Sequence, residues 1–424
     1  MKKKIIVIGG GFAGIQCVKN IDEELFDILL IDQINHHQFQ PLFYQVATSQ
    51  LEPASISFPL RYILNNKENL QIRLAKVLSV DAQNNQIETT IGSFNYDFLV
   101  IAIGCQTNFF GNEEIKKNAF TLKTTYDAIQ IRNHILQNFE DIISADHAEQ
   151  EALLNLIIVG AGPTGVELAG AFAEIKNHIL PKDYPGIDFS KFKIILIEGS
   201  KNTLNNMSQL AKDASRNYLE EMGVDIITET YVKKYDGESI ELNNGQTLKS
   251  KTVIWSAGVI GNTIEGMPAN SVVGGNRIKV NRMNLVEGSQ NIYAIGDIAY
   301  METPKYPKGH PQLANVAINQ AKNLASNFKK MQTGKDLVEF EYKDLGSMAT
   351  IGRNKAVVDL PKFKFKGYFA WLIWMFLHLM LILSVRNKLI IFINWAWAYL
   401  SKDTSLRLIL KQKKNEALDE KKGI

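Results

Sequence analysis

One arrangement occurs twice in this 424-residue chain: an apolar run, a glycine turn of the form G-x-G-x-x-G, and a helix-forming stretch. It appears first in "KKIIVIGGGFAGIQ", residues 3 to 16, where Ile5 to Ile8 lead into Gly9, Gly11 and Gly14. It returns in "LLNLIIVGAGPTGVELAG", residues 153 to 170, where Leu156 to Val159 lead into Gly160, Gly162 and Gly165. The first glycine of such a turn permits a tight reversal, the second lets the backbone come close to a pyrophosphate, and the third lets helix pack on strand. The helix then offers free N–H groups and the positive end of its dipole to the phosphates. The second helix reads as starting at Val166-Glu167-Leu168. Two such units predict an α/β chain with two dinucleotide-binding domains.

Each turn has a candidate acid. The strand "FDILLID" ends in Asp32, 18 residues after Gly14, where a carboxylate would accept hydrogen bonds from ribose hydroxyls. In the second unit the acid is Glu198, closing "KFKIILIE" 33 residues after Gly165, with "HILPKDYPGIDFS" inserted between helix and strand. A carboxylate there repels a 2′-phosphate and favours NADH over NADPH. Two nucleotides on one chain suggest non-covalently bound FAD at the first turn and NADH at the second, because a hydride leaving a nicotinamide needs an acceptor held at a fixed distance. "NIYAIGDIA", residues 291 to 299, reads as a strand ending in Gly296-Asp297, with a helix from about Gln312. Alone, Asp297 reads as a turn carboxylate. After a first glycine turn, it resembles the second FAD motif of two-dinucleotide flavoproteins, and the FAD domain is then split around an inserted NADH domain.

Length and composition agree with two or three globular domains, at 46% hydrophobic and 21% charged residues. The net charge of +3 is uneven: residues 361 to 424 hold 12 Lys/Arg against 4 Asp/Glu. A basic tail without a recognisable DNA or RNA module argues against nucleic acid as a partner. The lysines of "MKKKIIVIGGG" precede an apolar run too short for a secretory signal. The chain's two cysteines, Cys17 and Cys105, exclude a disulfide scaffold and fit a reducing compartment.

Several long motifs give the chain a family resemblance: "NHHQFQPLFYQVATSQLEP", "LVIAIGCQTNFFG", "GAGPTGVELAGAFAE", "VIWSAGV", "NIYAIGDIA", "LGSMATIGRNKAVVD" and "GYFAWLIWMFLHL". The sequence resembles the type II NADH:quinone oxidoreductases, single-subunit NADH dehydrogenases that do not pump protons. The resemblance implies two Rossmann-like domains in a glutathione-reductase-like fold and a C-terminal amphipathic helical membrane anchor. Gly9, Gly10, Gly11, Phe12, Ala13, Gly14 and Asp32 would hold the FAD diphosphate and adenosine ribose, and Val77 would meet the adenine through its backbone. Ala102 and Gly104 would lie beside the cofactor; Gly296, Asp297, Ala314 and Asn315 would meet the flavin end. Gly160, Gly162, Pro163, Thr164, Gly165 and Glu198 would hold NADH, with Ala257 and Gly258 beneath its path.

Glu167 is the candidate catalytic residue, near the nicotinamide and flavin rings or relaying a proton to quinone; its alternative reading is a first-turn carboxylate favoured by the helix dipole. Asn315 and Asn319 stand where the family often has the glutamines of A-Q-x-A-x-Q, which leaves the choice between menaquinone and ubiquinone open. The resemblance also implies a homodimer.

Tyr368 to Val385 form a nearly apolar run containing His378, edged by Lys362, Lys364, Lys366, Arg386 and Lys388; "LIIFINWAWAYL" follows, then Leu406, Leu408, Ile409 and Leu410 among Arg407, Lys411, Lys413 and Lys414. Borderline length, abundant tryptophan and basic edges favour a platform in the membrane interface, drawn to an anionic leaflet. That places the protein peripherally on the cytoplasmic face of the cell membrane. His378 reads as a packed histidine, and His36 and His37 lack ligand-spaced partners for a metal.

The expected divisions are residues 1–120 and 281–360 for the FAD domain, 121–280 for the NADH domain with its core at 153–258, and 361–424 for the anchor. A disulfide or sulfide:quinone reductase would need a cysteine pair near the flavin, whereas Cys17 and Cys105 are 88 residues apart. A soluble reductase of a small redox protein leaves the tail unexplained, and a non-catalytic NADH sensor would turn over slowly with every acceptor.

Overall fold

The computed structural model describes residues 2–404 and 406–410; Lys411, Lys413 and Lys414 lie outside the described residues. The elements that position the site begin with β1 (Lys3–Ile8), α1 (Phe12–Asn20), β2 (Phe26–Asp32), α2 (Phe43–Ala47), β3 (Leu70–Leu74) and β4 (Phe98–Ile101). They continue with α3 (Thr125–Asp141), β5 (Asn155–Val159), α4 (Pro163–His178), β6 (Lys193–Ile197), β7 (Val224–Ile227) and β8 (Thr252–Trp255). The chain then adds β9 (Ile292–Ala294) and α5 (Ala314–Gln332).

Ile5 to Ile8 and all of β5 are buried, which is why both strands are continuous apolar runs and not alternating ones. The first sheet has the order β9-β4-β1-β2-β3 and is parallel throughout. The second, β7-β6-β5-β8, is also parallel. In each, strand order reverses beside the strand that carries the glycine turn, the crevice where open α/β sheets bind ligands. The first domain is completed only after the second, when β9 returns beside β4. Rings from both parts seal it: Phe328 of α5 lies 5.3 Å from Phe98 and 5.1 Å from Tyr293. The split, inserted architecture expected from the sequence is therefore the observed one.

The crossings between the two domains pair with each other, Cys105–Thr107 running antiparallel to Val259–Gly261. Residue 120 already belongs to the second sheet, since the Phe120 N–H donates to the Val253 carbonyl at 2.8 Å. Ile278 and Val280 pack in the first domain's core with Ile6, Leu29 and Leu99. The divisions expected at 120 and 280 thus fall beyond the crossings.

A third layer comprises β10 (Ser347–Gly352), β11 (Lys355–Asp359) and β12 (Lys364–Lys366), an antiparallel sheet. It lies on α4 where Gly170 has no side chain; a Cβ there would come within 1.7 Å of the Ile351 carbonyl oxygen. The β11–β12 pairing runs across the break expected at 360, so that division cuts through a sheet.

The apolar run from Tyr368 is interrupted. It forms α6 (Tyr368–Leu381), breaks at 382–384, and resumes as α7 (Val385–Ser401). Among the described residues no helix is long and apolar enough to cross a membrane. The side-chain N–H groups of Asn387, Asn394 and Trp395 in α7 face the protein. Asn387 Nδ2 donates to the carbonyls of Ala54 and Ser55 at 3.0 and 2.9 Å, Asn394 Nδ2 to Glu52 at 2.8 Å, and Trp395 Nε1 to Gln45 Oε1 at 2.8 Å. Trp374, Ile391 and Trp395 join a core cluster with Phe39, Tyr44 and Phe172. The outer face is apolar instead, with Phe369, Phe376, Leu389, Ile393, Trp397 and Leu400 each 59–80% exposed.

Candidate active site

The two glycine turns are near-duplicates in space. Gly9 and Gly160 have φ of +104° and +99°, and their N–H groups donate to Ile31 and Ile197, each at 2.8 Å. A Cβ on Gly14 would sit 1.8 Å from the Gly9 oxygen, and one on Gly165 would sit 1.9 Å from the Gly160 oxygen. Gly11 and Gly162, by contrast, face open space, and no side chain caps either helix. Backbone donors at both helix N-termini are therefore left for phosphates, and the cradle fits two dinucleotides.

The acids occupy matching places. Asp32 Oδ2 accepts from the Gly10 N–H at 2.5 Å, and Glu198 Oε2 accepts from the Ala161 N–H at 2.6 Å. Burial raises the Asp32 pKa against the backbone hydrogen bonds that lower it. Val77 begins a strand two residues after Ala75, whose N–H donates to the Asp32 carbonyl at 2.9 Å, so it lies at the Asp32 end of the first sheet. Ala102 and Ala257 each press against the first glycine of their turn, while Gly104 and Gly258 stand just before the paired crossings. Pro163 and Thr164 are exposed at the start of α4.

Gly296 packs on Ala13 and Ala317, which brings the third motif onto α1 and α5. Asp297 lies 3.1 Å from the Cys105 sulfur, with Lys123 Nζ 3.4 Å from that sulfur. Burial, with Asp297 adding to it, raises the thiol pKa to about 12, far from a reactive thiolate. Cys17 is buried in α1. Gln320 was missed from sequence: its Oε1 accepts from the Gly296 N–H at 2.8 Å, fixing the motif to α5. Beside the first turn, His37 Nδ1 lies 3.2 Å from the Gly10 oxygen and its ring meets Phe12 edge-on at 4.9 Å. Among the described residues no group of His, Cys, Asp and Glu is arranged to hold a metal ion.

Glu167 is not a first-turn residue, because α4 starts at Pro163 and not at Val166. A proline at the first helical position is preorganised for the helix and needs no N–H partner. The carboxyl is thereby moved into the second turn, where it enters a cavity of about 90 Å³ shared with Tyr44, Gln45, Glu174, Thr350 and Trp395. Burial raises its pKa to about 8, only partly offset by the Thr350 N–H. At neutral pH it is a protonated acid able to donate. Glu174, two turns further along the same face, is raised by burial against Arg353, whose N–H it accepts. The spacing of 7 residues from Glu167 was the sequence signal for that shared face.

A second cavity, of about 80 Å³, joins Phe12, His37, Phe39, Asn315 and Ile318 to Leu381 and Leu383 at the α6–α7 break. Asn315 is the second residue of α5 and lines it. Asn319 does not; its Nδ2 donates back to the Asn315 carbonyl at 2.8 Å. His378 is packed as expected, stacked 4.0 Å from Trp374 with Nδ1 2.8 Å from the Trp374 oxygen, and burial lowers its pKa to about 4.

Comparison with known proteins agrees with this geometry. Residues 3–321 match the pyridine nucleotide-disulphide oxidoreductase family, and residues 345–402 match the NDH2 C-terminal domain. The type II NADH:quinone oxidoreductase NdhA of Mycobacterium tuberculosis is 32% identical over 97% of this chain and 90% of its own. The chain belongs to the type II NADH:quinone oxidoreductases. NDH2 of Plasmodium falciparum, solved in complex with NADH, superposes with a TM-score of 0.89 at 24% identity, covering 97% of this chain and 100% of that one. The sulfide:quinone oxidoreductase of Aquifex aeolicus shares the fold at a TM-score of 0.70 and 21% identity, over 95% and 96% of the two chains.

As a type II NADH:quinone oxidoreductase, the chain has FAD as cofactor and NADH as substrate. The raised Glu167 pKa has a measurable consequence. Between the ordinary 4.5 and about 8 the folded protein keeps a proton that the unfolded chain releases, so stability falls with rising pH through that window. Glu167→Gln is expected to remove this slope and to exceed wild type by roughly 2–4 kcal/mol at pH 8, with the difference vanishing near pH 5. Chemical denaturation across pH 5–9 reads it; parallel wild-type and variant curves would refute the assignment.

Proposed function

We propose that the two glycine turns hold FAD and NADH as the sequence suggests, and that quinone enters by the cavity between Asn315 and the α6–α7 break. The protein is an FAD-dependent NADH dehydrogenase that reduces a quinone without pumping protons. FAD held there would supply the hydride acceptor for NADH and the two-electron donor for the quinone. The chain's own residues supply placement and protons. Gly9 to Gly14 and Asp32 fix one nucleotide and Gly160 to Gly165 and Glu198 the other, with the Glu198 carboxylate set against a 2′-phosphate. Protonated Glu167 stands ready as a donor on the second-domain side.

The observation that carries the quinone path is that Leu381 belongs both to the Asn315 cavity and to the exposed apolar surface. An isoprenoid quinone could pass from lipid to the N-terminus of α5 without meeting water. That surface is the membrane face, edged by Lys362, Lys364, Lys366, Arg386 and Lys388, each contributing about 1 kcal/mol near an anionic leaflet. Binding there is peripheral, on the cytoplasmic side where NADH is available.

Asn315→Leu tests the path. It should leave flavin content and flavin reduction by NADH intact and slow reoxidation by a menaquinone or ubiquinone analogue about tenfold or more, the loss of one hydrogen bond to the head group. Asn315→Gln should restore it. Equal reoxidation rates in all three proteins would eliminate Asn315 from the quinone site.

A further inference from the structure

Phe110 is an aromatic side chain left in water on a strained backbone. It is 69% exposed and has φ of +52°, a left-handed value that is a genuine outlier for a bulky residue. Such strain persists only where the surroundings fix it, and it clusters where ligands are held. The Phe110 N–H donates to Asn108 Oδ1 at 2.8 Å. The Asn108 carbonyl accepts from Trp255 Nε1 at 2.8 Å, and the Asn108 N–H donates to the Gly258 carbonyl at 3.3 Å. Phe109 packs on the core of the second domain, its ring stacked 5.9 Å from that of Trp255. Folding thus shelters one ring of the pair and holds its neighbour outside.

The place of that outer ring is specific. A Cβ on Gly258 would come within 2.9 Å of Phe110 Cζ, so the ring lies directly over Gly258. Ala257, the residue before, presses on Gly160 of the second glycine turn. Strand order then orients a dinucleotide across these groups. Glu198, the ribose acid, follows β6, the phosphate cradle follows β5, and the next strand along is β8, which ends just before Ala257 and Gly258. Two strand spacings, about 10 Å, separate the first position from the last. The adenosine half therefore belongs at β6 and the nicotinamide half at the end of β8. Beyond Gly258 the chain crosses to the first domain, with Val259 paired to Thr107.

We propose that Phe110 positions the nicotinamide half of NADH, its ring packing on the nicotinamide mononucleotide where that group leaves the second domain for the flavin. The proposal rests on the assignment of NADH to the second turn. An uncharged dihydropyridine and its ribose offer flat apolar surface, and a ring already ordered and still exposed gains by covering it. Little further ordering is needed, because the strained backbone is fixed before the nucleotide arrives.

The test uses the FAD-bound full chain with NADH, with reduced nicotinamide mononucleotide, which carries only the half in question, and with ADP-ribose, which lacks the nicotinamide. Phe110→Gly removes the ring and adopts the left-handed backbone without strain, so it should keep its flavin and melt no lower than wild type. Its limiting rate of flavin reduction should fall about tenfold or more, by the same factor with NADH and with the mononucleotide. Inhibition by ADP-ribose should be unchanged, and Phe110→Tyr should restore both rates. Wild-type rates in Phe110→Gly, or a loss with NADH alone, would place the ring away from the nicotinamide and overturn the proposal. A weakening of ADP-ribose inhibition in step with the rate would mean that the ring acts through the phosphate cradle, and it too would overturn the proposal. Failure of the underlying NADH assignment looks different: ADP-ribose would then inhibit wild type and Gly165→Ala equally, and both readings would fall.

Discussion

Gly165→Ala is expected to give a yellow protein that dithionite reduces and NADH does not, with the rate of flavin reduction by NADH down at least about a hundredfold. The added methyl group would lie 1.9 Å from the Gly160 oxygen and 2.9 Å from Ser256 Oγ. Ser256 cannot yield easily, because its hydroxyl bonds the Val159 and Gly160 carbonyls at 2.8 and 3.0 Å. The N-terminus of α4 must move away from β5, carrying its phosphate-binding amides about an ångström off position; overpacking of this kind also costs about 1–3 kcal/mol of stability. The same change at Gly14 strikes the other nucleotide, and its product should be colourless. The pair of variants, read by flavin absorbance and stopped-flow reduction, assigns each turn to its nucleotide. A Gly165→Ala protein reduced by NADH at the wild-type rate would refute the assignment.

The second large effect concerns the outer face of α6 and α7. Replacing Phe376, Ile393, Trp397 and Leu400 with serine should release the protein from anionic vesicles in co-sedimentation. NADH reduction of the flavin and turnover with a short-chain quinone should persist, and turnover with a long-chain quinone in vesicles should drop. At about 25 cal/mol per Å², four large side chains represent several kcal/mol of apolar transfer, enough to shift the partition by orders of magnitude. Deleting everything after 361 is a poorer experiment, since Trp374, Ile391 and Trp395 would be stripped from the core. Retained vesicle binding by the four-serine variant would move the membrane face elsewhere.

Much of the site was legible because its chemistry is local. Gly9 to Gly14 and Gly160 to Gly165 are set by steric limits acting within a few residues, and a strand followed by such a turn and helix folds in one way. Asp32 and Glu198 follow from strand length alone. Glu174, Tyr44, Gln45 and Gln320 were not legible as site residues, because their significance depends on what another segment brings to them. Asn319, one helical turn from Asn315, turns its amide back onto its own backbone, a local choice that the motif does not reveal.

The sequence alone determined the two-nucleotide plan, its split first domain and the redox pairing of FAD with NADH, since each rests on backbone geometry encoded in contiguous residues. Only the tertiary structure decided how deep Glu167 lies, that the apolar tail breaks at 382–384, and that its asparagines turn inward while its apolar side chains turn out. Those outcomes depend on solvent exclusion and on hydrogen-bond partners more than 300 residues distant, such as Ala54 and Ser55 for Asn387. Periodicity within a helix records which faces differ, but what covers each face is fixed by the rest of the molecule.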